Sequence, residues 1–429
     1  MSVTVRKKLQ TALPHLSSAE LRCLGFDLGV DEDELPGRQL GLRLGERIGR
    51  LANVQRHEHR FSDVKSSSGS LQPWRRSEDR LTVQTYTMES GEYLLAMVID
   101  GHGGKECASY AQKTLPVRIR RELEAIGTIS KCDEISRALQ RGITVFDEQL
   151  AQALKKAVSK VPPQETLSTM FSQEDVLKRL LRCFRGACVA VVLVRVSTQD
   201  LWVANFGDCL VVEGHKRGGD PSGGWQVRQL TEDHNTSNGN EVKRIKNEHP
   251  GEECIIEDRV LGKTLPTRTL GNWDQKWQKE VVGPLYAFVP FVRPETPPAR
   301  DRLLANSLSP PYQISIADVR HEKLPGGRVV LIVASDGLPA NYARLNPDQH
   351  TDADESRQDM IESWVRSVNR EPLEGLEDAE VTAAERIIRD TLGGRDERKV
   401  LVNVTDRLRL LRDDLTVIAI ELAFPEPSV

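Results

Sequence analysis

Apolar runs that start or stop on acidic residues punctuate the chain. Tyr93–Ile99 runs straight into Asp100, and Val329–Ala334 runs into Ser335 and Asp336. Leu415–Ile420 leaves from Asp413 and Asp414, and the more alternating Leu81–Tyr86 leaves from Glu78 and Asp79. Short apolar runs rich in β-branched residues predict strands, and the same pattern adds Val189–Val196, Leu201–Asn205 and Leu210–Glu213. The last two flank Phe206, Gly207, Asp208 and Cys209 as the arms of a hairpin would. Helical periodicity predicts a helix from Lys105 to about Ala125, interrupted at Pro116, then Cys132–Val158 and Gln173–Phe184. Two late helices, about Glu355–Val368 and Ala379–Leu392, precede Val404–Leu411 and the last strand. Strands cluster with neighbours they can pair antiparallel, apart from the helices, so the chain reads as α+β rather than alternating α/β.

Punctuation divides the chain further. Residues 1–60 are charged and loop-like in part, with Asp31–Glu34 followed by Pro36 and Gly37, and Ser66–Ser70 reads as a flexible lead-in. The expectation is an extension over 1–60 and one large domain over 61–424. Gly283–Tyr312 carries Pro284, Pro290, Pro294, Pro297, Pro298, Pro310 and Pro311, and so predicts an irregular, substrate-facing flap. His57 and His59 lie in a run of charge and read as solvated surface.

Composition narrows the function classes. Lys plus Arg number 59 against 63 Asp plus Glu, a formal charge of −4, and this balance argues against nucleic-acid binding. Seven cysteines without a Cys-x-x-Cys pair suggest reduced thiols, neither a disulfide framework nor zinc ligands. No apolar run approaches the roughly 20 residues that cross a bilayer, so no membrane span is expected. The first residues are basic, hydroxyl-rich and free of acids until Glu20, which is compatible with a transit peptide.

Carboxylates at strand ends far apart in sequence can gather on one sheet edge, which makes a hard-cation site with oxygen ligands the leading chemistry. Taken singly, each Asp-Gly is more often a turn or a cap. Taken together, Asp100–Gly104 (Asp-Gly-His-Gly-Gly), Ala204–Asp208, Leu230–His234, Ala334–Leu338 and Asp413–Val417 stand in an order similar to that of a known family. The chain resembles the metal-dependent serine/threonine protein phosphatases of type 2C, the PPM family, from about Glu78 to Leu422.

The resemblance implies two stacked antiparallel sheets flanked by helices, with metals at one edge of the sandwich. It implies two Mn²⁺ or Mg²⁺ ions bridged by Asp100. Asp336 and Asp413 would complete one site, and Glu78 with the backbone carbonyl of Gly101 the other. A pair of divalent ions neutralises phosphate charge and generates hydroxide near neutral pH, so the water between them would be the nucleophile. Asp208 would help Asp336 hold a third, weaker ion, with a simple hairpin aspartate as the alternative. Asp79 would orient water or its neighbours, and His102 would protonate the departing serine or threonine oxygen.

Some positions depart from the family pattern. Trp74 stands where most members carry an arginine that grips phosphate, and the adjacent Arg75 and Arg76 can substitute. Asn272 replaces an aspartate, Cys188 a threonine, and Leu338–Ala340 the usual Leu-Trp-Asp. Between Leu230 and Arg268 the string Leu230–Asn235, with Asn240, Glu241, Arg244, Glu248–Pro250 and Arg259–Arg268, looks like the pyruvate dehydrogenase phosphatase branch. That branch implies mitochondrial location, a phosphoserine of a large dehydrogenase complex as substrate and, in some members, calcium-assisted docking. The alternatives are a pseudophosphatase that keeps the fold for docking, and a cytosolic phosphatase of the same chemistry acting on signalling phosphoproteins.

Overall fold

The computed structural model describes residues 53–57, 59, 63–71, 77–127, 131–158, 167–216, 224–290, 296–345, 353–368, 381–394 and 413–425. In chain order the described strands are β1 (Gln55–His57), β2 (Val64–Leu71), β3 (Arg80–Met88), β4 (Gly91–His102), β5 (Gly186–Arg195), β6 (Asp200–Phe206) and β7 (Leu210–Lys216). There follow β8 (Gln226–Gln229), β9 (Ile255–Ile256), β10 (Arg259–Val260), β11 (Leu270–Gly271), β12 (Asp318–Lys323), β13 (Gly327–Ala334) and β14 (Leu415–Phe424). The helices are α1 (Glu106–Ala125), α2 (Cys132–Val158), α3 (Leu167–Phe171), α4 (Glu174–Phe184) and α5 (Gly239–Glu248). After them come α6 (Lys279–Tyr286), α7 (Thr296–Asn306), α8 (Gly337–Leu345), α9 (Ala353–Val368) and α10 (Ala383–Leu392). The chain divides into two compact units, one of Met1–Glu58, Ser66–Arg76 and Gly337–Leu415, the other of His59–Lys65, Ser77–Asp336 and Thr416–Val429.

The second unit is built on two antiparallel sheets. One runs β12-β6-β5-β4-β3, with β11 added to β5, and the other contains β14-β13-β7-β8 in that order. Side chains alternate across a strand, and this period explains the unbroken apolar runs of β4 and β5. Leu94, Ala96 and Val98 of β4 and Ala190, Val192 and Val194 of β5 pack with Val211, Leu331, Val333, Ile418 and Ile420 between the sheets. The intervening Leu95, Met97, Ile99, Val189, Val191 and Leu193 pack outward on Leu115 and Ile119 of α1 and Ile135, Leu139 and Ile143 of α2. Both faces of these strands are buried, so no polar alternation was available to mark them. A further apolar cluster joins Leu180 and Phe184 of α4 with Trp277, Tyr286, Leu303 and Tyr312.

Several expectations are corrected here. Pro116 does not interrupt α1, which runs through it. A proline leaves the carbonyl four residues back without its helical donor. Thr82 Oγ1 approaches that carbonyl, on Gln112, at 3.5 Å, and Tyr86 donates to the Pro116 carbonyl at 3.2 Å. β6 and β7 are not a hairpin: β6 pairs with β5 and β12, whereas β7 pairs with β13 and β8. Phe206–Cys209 therefore carries the chain from one sheet to the other. The proline-rich stretch is not irregular throughout, since it enters from α6, which holds Pro284, and contains α7. Pro297 and Pro298 fall in the first turn of α7, where the helix needs no backbone donor. Val404–Leu411 lies outside the described residues.

In the first unit Ser66–Ser70 belongs to β2 rather than to a flexible lead-in, and Ser66, Ser67 and Ser68 are buried. β1 pairs with this stretch at Gln55 with Ser68. Ser67 Oγ accepts the amide of Ala384 at 3.0 Å in the opening turn of α10, so the small hydroxyl satisfies a donor that the helix cannot. His57 is not merely solvated: it is half-buried, with Nε2 2.8 Å from Ser68 Oγ. His59, in the second unit, is half-buried as well, and burial lowers its pKa. Trp364 of α9 meets Tyr342 of α8 edge-on at 5.8 Å, and Thr382 caps α10 by accepting from the Glu385 amide at 3.2 Å.

Trp202 of β6 is fully buried, and its indole donates to the Cys132 carbonyl at 3.2 Å. Truncation there removes the joint between β6 and the start of α2. Trp202→Ala is expected to destabilise the second unit by about 3–5 kcal/mol, measured as a fall in the urea midpoint with little change in slope.

Candidate metal centre

Three strand ends of the second unit deliver carboxylates to one place. Asp100 sits near the end of β4, opposite Cys188 of β5, and Asp336 follows β13 after Ser335. Asp208 lies in the crossing from β6 to β7, after Gly207, whose φ of +99° is open to glycine at little cost. A Cβ on Gly207 would also collide with Cys188. Carboxylate oxygens of Asp100, Asp208 and Asp336 all lie within 4.8 Å of one another. Burial raises the pKa of Asp208, and like charges this close repel. A divalent cation relieves both penalties, and three carboxylates form the oxygen donor set that a hard ion prefers.

The other predicted residues of this unit border the cluster. A Cβ on Gly101 would fall 2.5 Å from the Glu78 carbonyl, so only glycine lets β4 approach the Glu78 backbone this closely. The Glu78 carboxylate accepts the Gly104 amide at 3.1 Å. Asp79 is buried, and its charge acts with those of Asp100, Asp208 and Asp336 on the nearby Cys209 thiol. That thiol is pushed well up, by burial first and then by these carboxylates. Gly104 leaves room for Arg185, whose guanidinium covers it and pairs with Glu106.

His102 ends β4 with its Nε2 2.7 Å from Asn272 Oδ1. An amide oxygen only accepts, so Nε2 is the ring nitrogen that carries hydrogen. Burial lowers the imidazole pKa to about 4, against the opposing effect of the Asn272 hydrogen bond. The sequence marked Asn272 only as a departure from the family pattern, and nothing in it pointed to a partner 170 residues away.

A profile of the protein phosphatase 2C family matches residues 69–340. The chain belongs to this family. It is similar to a protein phosphatase 2C homolog of Schizosaccharomyces pombe, 26% identical over 368 residues that cover 80% of this chain and 76% of that protein. It is also similar to the mitochondrial pyruvate dehydrogenase (acetyl-transferring) phosphatase 2 of Homo sapiens, 25% identical over 506 residues covering 97% of this chain and 91% of the human protein. The bovine phosphatase 1 of the same name is 33% identical over a shorter stretch of 168 residues, 36% of this chain and 28% of that protein. A crystal structure of serine-threonine phosphatase 2C from Toxoplasma gondii shares the fold, with a TM-score of 0.51 and 12% identity over 86% of this chain and 99% of that one. The protein is thus a PPM-type serine/threonine protein phosphatase with the α+β fold of that family, metal-dependent and acting on phosphoproteins. Among the described residues no helix is long and apolar enough to cross a membrane.

Behind Asp208, the branch-like residues of the phosphatase form a polar clamp. Asn235 Nδ2 donates to Asp208 at 3.2 Å, and the His234 amide donates to the Gly207 carbonyl at 2.9 Å. His234 and Arg268 share Asp318, at 2.9 and 2.7 Å. Arg268 also donates to both oxygens of Glu241, at 2.6 and 3.1 Å. This engagement leaves Arg268 a structural role rather than that of a phosphate grip. Arg75 and Arg76, like Trp74, lie outside the described residues.

Asp413 belongs to the first unit, where its carbonyl accepts from Asn341 Nδ2 at 3.3 Å. Gly337 is packed against the Asp414 carbonyl, which a Cβ would strike. A second cluster, Cys132, Asp200 and His321, also brings possible ligand atoms within 4.8 Å. Arg195 at 2.6 Å and Lys323 at 3.0 Å already answer the Asp200 charge, so this cluster works as an ion-pair hub. Burial alone would raise the Asp200 pKa, but hydrogen bonds from Thr198, Arg195, His321 and Lys323 hold it far below the usual range.

The clamp yields a pH prediction. Burial pushes the Glu241 pKa up, but Arg268, Arg244 and Thr267 outweigh it and hold the group at about 2. A carboxylate whose folded pKa is depressed stabilises the fold above its unfolded pKa and loses that contribution as pH falls through the folded value. Glu241→Gln should therefore lower stability at neutral pH and flatten the acid-induced loss between about pH 4 and 2, as read from urea midpoints across that range.

Proposed function

We propose that this phosphatase hydrolyses phosphoserine on a subunit of a mitochondrial pyruvate dehydrogenase-type complex, with Mn²⁺ or Mg²⁺ held at the Asp100, Asp208 and Asp336 cluster. The convergence of these three carboxylates from separate strand ends carries the reading. The substrate rests on the similarity to the human phosphatase 2 along nearly the whole of both chains. Some of the branch-like residues, His234, Asn235, Glu241, Arg244 and Arg268, form the clamp behind Asp208, which agrees with it.

In this reading Asp100, Asp336, Glu78 and the Gly101 carbonyl would hold two ions. Asp413 is proposed as a ligand on its sequence motif. Asp208 with Asp336 serves a third, weaker ion. The ions supply charge neutralisation and a hydroxide near neutral pH. Asp79 orients water beside them, and Arg75 or Arg76 grips the phosphate through charge-assisted hydrogen bonds. With the Nε2 hydrogen held by Asn272, His102 would take a proton from water on Nδ1 and give it to the departing serine oxygen, returning to the neutral ring.

Phosphate release from phosphorylated pyruvate dehydrogenase should vanish with a chelator and return with Mn²⁺ or Mg²⁺. Asp100→Asn and Asp336→Asn should each abolish most of it. Full activity of either variant would remove that residue from the ligand set. A tagged copy should fractionate with mitochondria, and recovery in the cytosol alone would favour a signalling phosphoprotein as the substrate. His102→Ala should cost roughly 10²–10⁴-fold on a phosphoserine peptide and far less on 4-nitrophenyl phosphate, whose leaving group needs no proton.

A further inference from the structure

The imidazole of His102 is held at the end of a chain of buried polar contacts that starts on a helix. Asp147 of α2 is fully buried. One of its oxygens accepts the Gly271 amide at 2.6 Å and the other accepts Lys276 Nζ at 2.7 Å. Lys276 Nζ also donates to the Thr269 carbonyl at 2.8 Å, so the ion pair grips the turn on both sides of Leu270. β11 extends the grip by pairing Leu270 with Ala187 and Gly271 with Gly186. The next residue, Asn272, is buried and left-handed at a φ of +47°, with its amide donating to the Arg185 carbonyl at 3.2 Å. Its side-chain oxygen then meets His102 Nε2, and a Cβ on Gly186 would collide with both groups.

This is costly construction for one turn. A non-glycine residue with positive φ and a buried ion pair each cost free energy unless the surroundings fix them. What the construction fixes is one acceptor aimed at one ring nitrogen. An acceptor on Nε2 selects the tautomer with hydrogen there and leaves Nδ1 as the ring nitrogen with a free lone pair. We propose that Asn272, set by the Asp147–Lys276 pair, is a positioning residue that holds hydrogen on His102 Nε2 and so leaves Nδ1 as the nitrogen that takes a proton from water and passes it to the leaving oxygen. The inference rests on the reading of His102 as the group that protonates that oxygen.

The test compares His102→Ala, Asn272→Ala, Asn272→Asp and the His102→Ala/Asn272→Ala double variant, in the full Mg²⁺-loaded chain, on a phosphoserine peptide and on 4-nitrophenyl phosphate. Asn272→Ala should lower kcat on the peptide by between about tenfold and the full 10²–10⁴ of a general acid, with little change on nitrophenyl phosphate. Asn272→Asp keeps an acceptor oxygen of the same shape and should recover most of the peptide activity. The double variant should be no worse than His102→Ala, since the two residues act as one unit. Equal losses on both substrates from Asn272→Ala, or an additive double variant, would overturn the inference while leaving the reading of His102 intact. Equal losses from His102→Ala itself would overturn both. A second readout does not depend on turnover: with ¹⁵N-histidine labelling, the His102 proton should sit on Nε2 in the parent and lose that preference in Asn272→Ala. A parent protonated on Nδ1 alone would refute the proposal.

Discussion

The structure is organised around charges that repel. Asp100, Asp208 and Asp336 place their oxygens within a few ångströms of one another, and buried Asp79 adds to the same field. Nothing in local propensity favours such a gathering. It is imposed by strands whose registers are fixed by apolar burial on both faces, so the hydrophobic energy of the sandwich holds the carboxylates where a cation can use them. The glycines follow from this constraint. Gly101 and Gly207 stand where backbone or thiol atoms press in on the cluster, and a methyl group at either place would part the carboxylates.

The polar layer outside the cluster obeys a related rule. Charged groups taken out of water keep their charge only when a partner is fixed beside them. Glu241 has Arg268 and Arg244, Asp147 has Lys276, and Asp200 has Arg195 and Lys323. Two of these sets hold segments in place, one behind Asp208 and one behind His102. The third ties the far end of the β5–β6 hairpin to β12. Superficial likeness to a metal site therefore does not suffice: in the Asp200 cluster a lysine ammonium already stands where an ion would go.

Much of this was legible in the sequence. The strands that end on Asp100 and Asp336 announced themselves because burial on both faces leaves an unbroken apolar run. The family order of the acidic strings then supplied the layered architecture that periodicity could not. The crossing at Phe206–Cys209 was misread because a Gly-Asp dipeptide reports a turn but not the sheet that the next strand joins. Pro116 was misread because the cost of a lost helical donor was met by Thr82, thirty residues away in sequence. The role of Asn272 was invisible for the same reason on a larger scale, since its partner is set by tertiary structure alone. Ser66–Ser70 has the composition of a linker, and only the packing of a helix terminus onto it turns small hydroxyls into an asset.

The crossing between the sheets has a mechanical meaning. Asp100 hangs from one sheet, Asp336 from the other, and Asp208 from the link between them. Ions held by these carboxylates would act as a rivet through the open edge of the sandwich. The two layers could then slide past each other only by stretching that hold, so bound ions would also stiffen the scaffold around them. Ligand occupancy stabilises whatever state binds it. The emptied protein should therefore breathe along this one seam first, with the rest of each layer still in register.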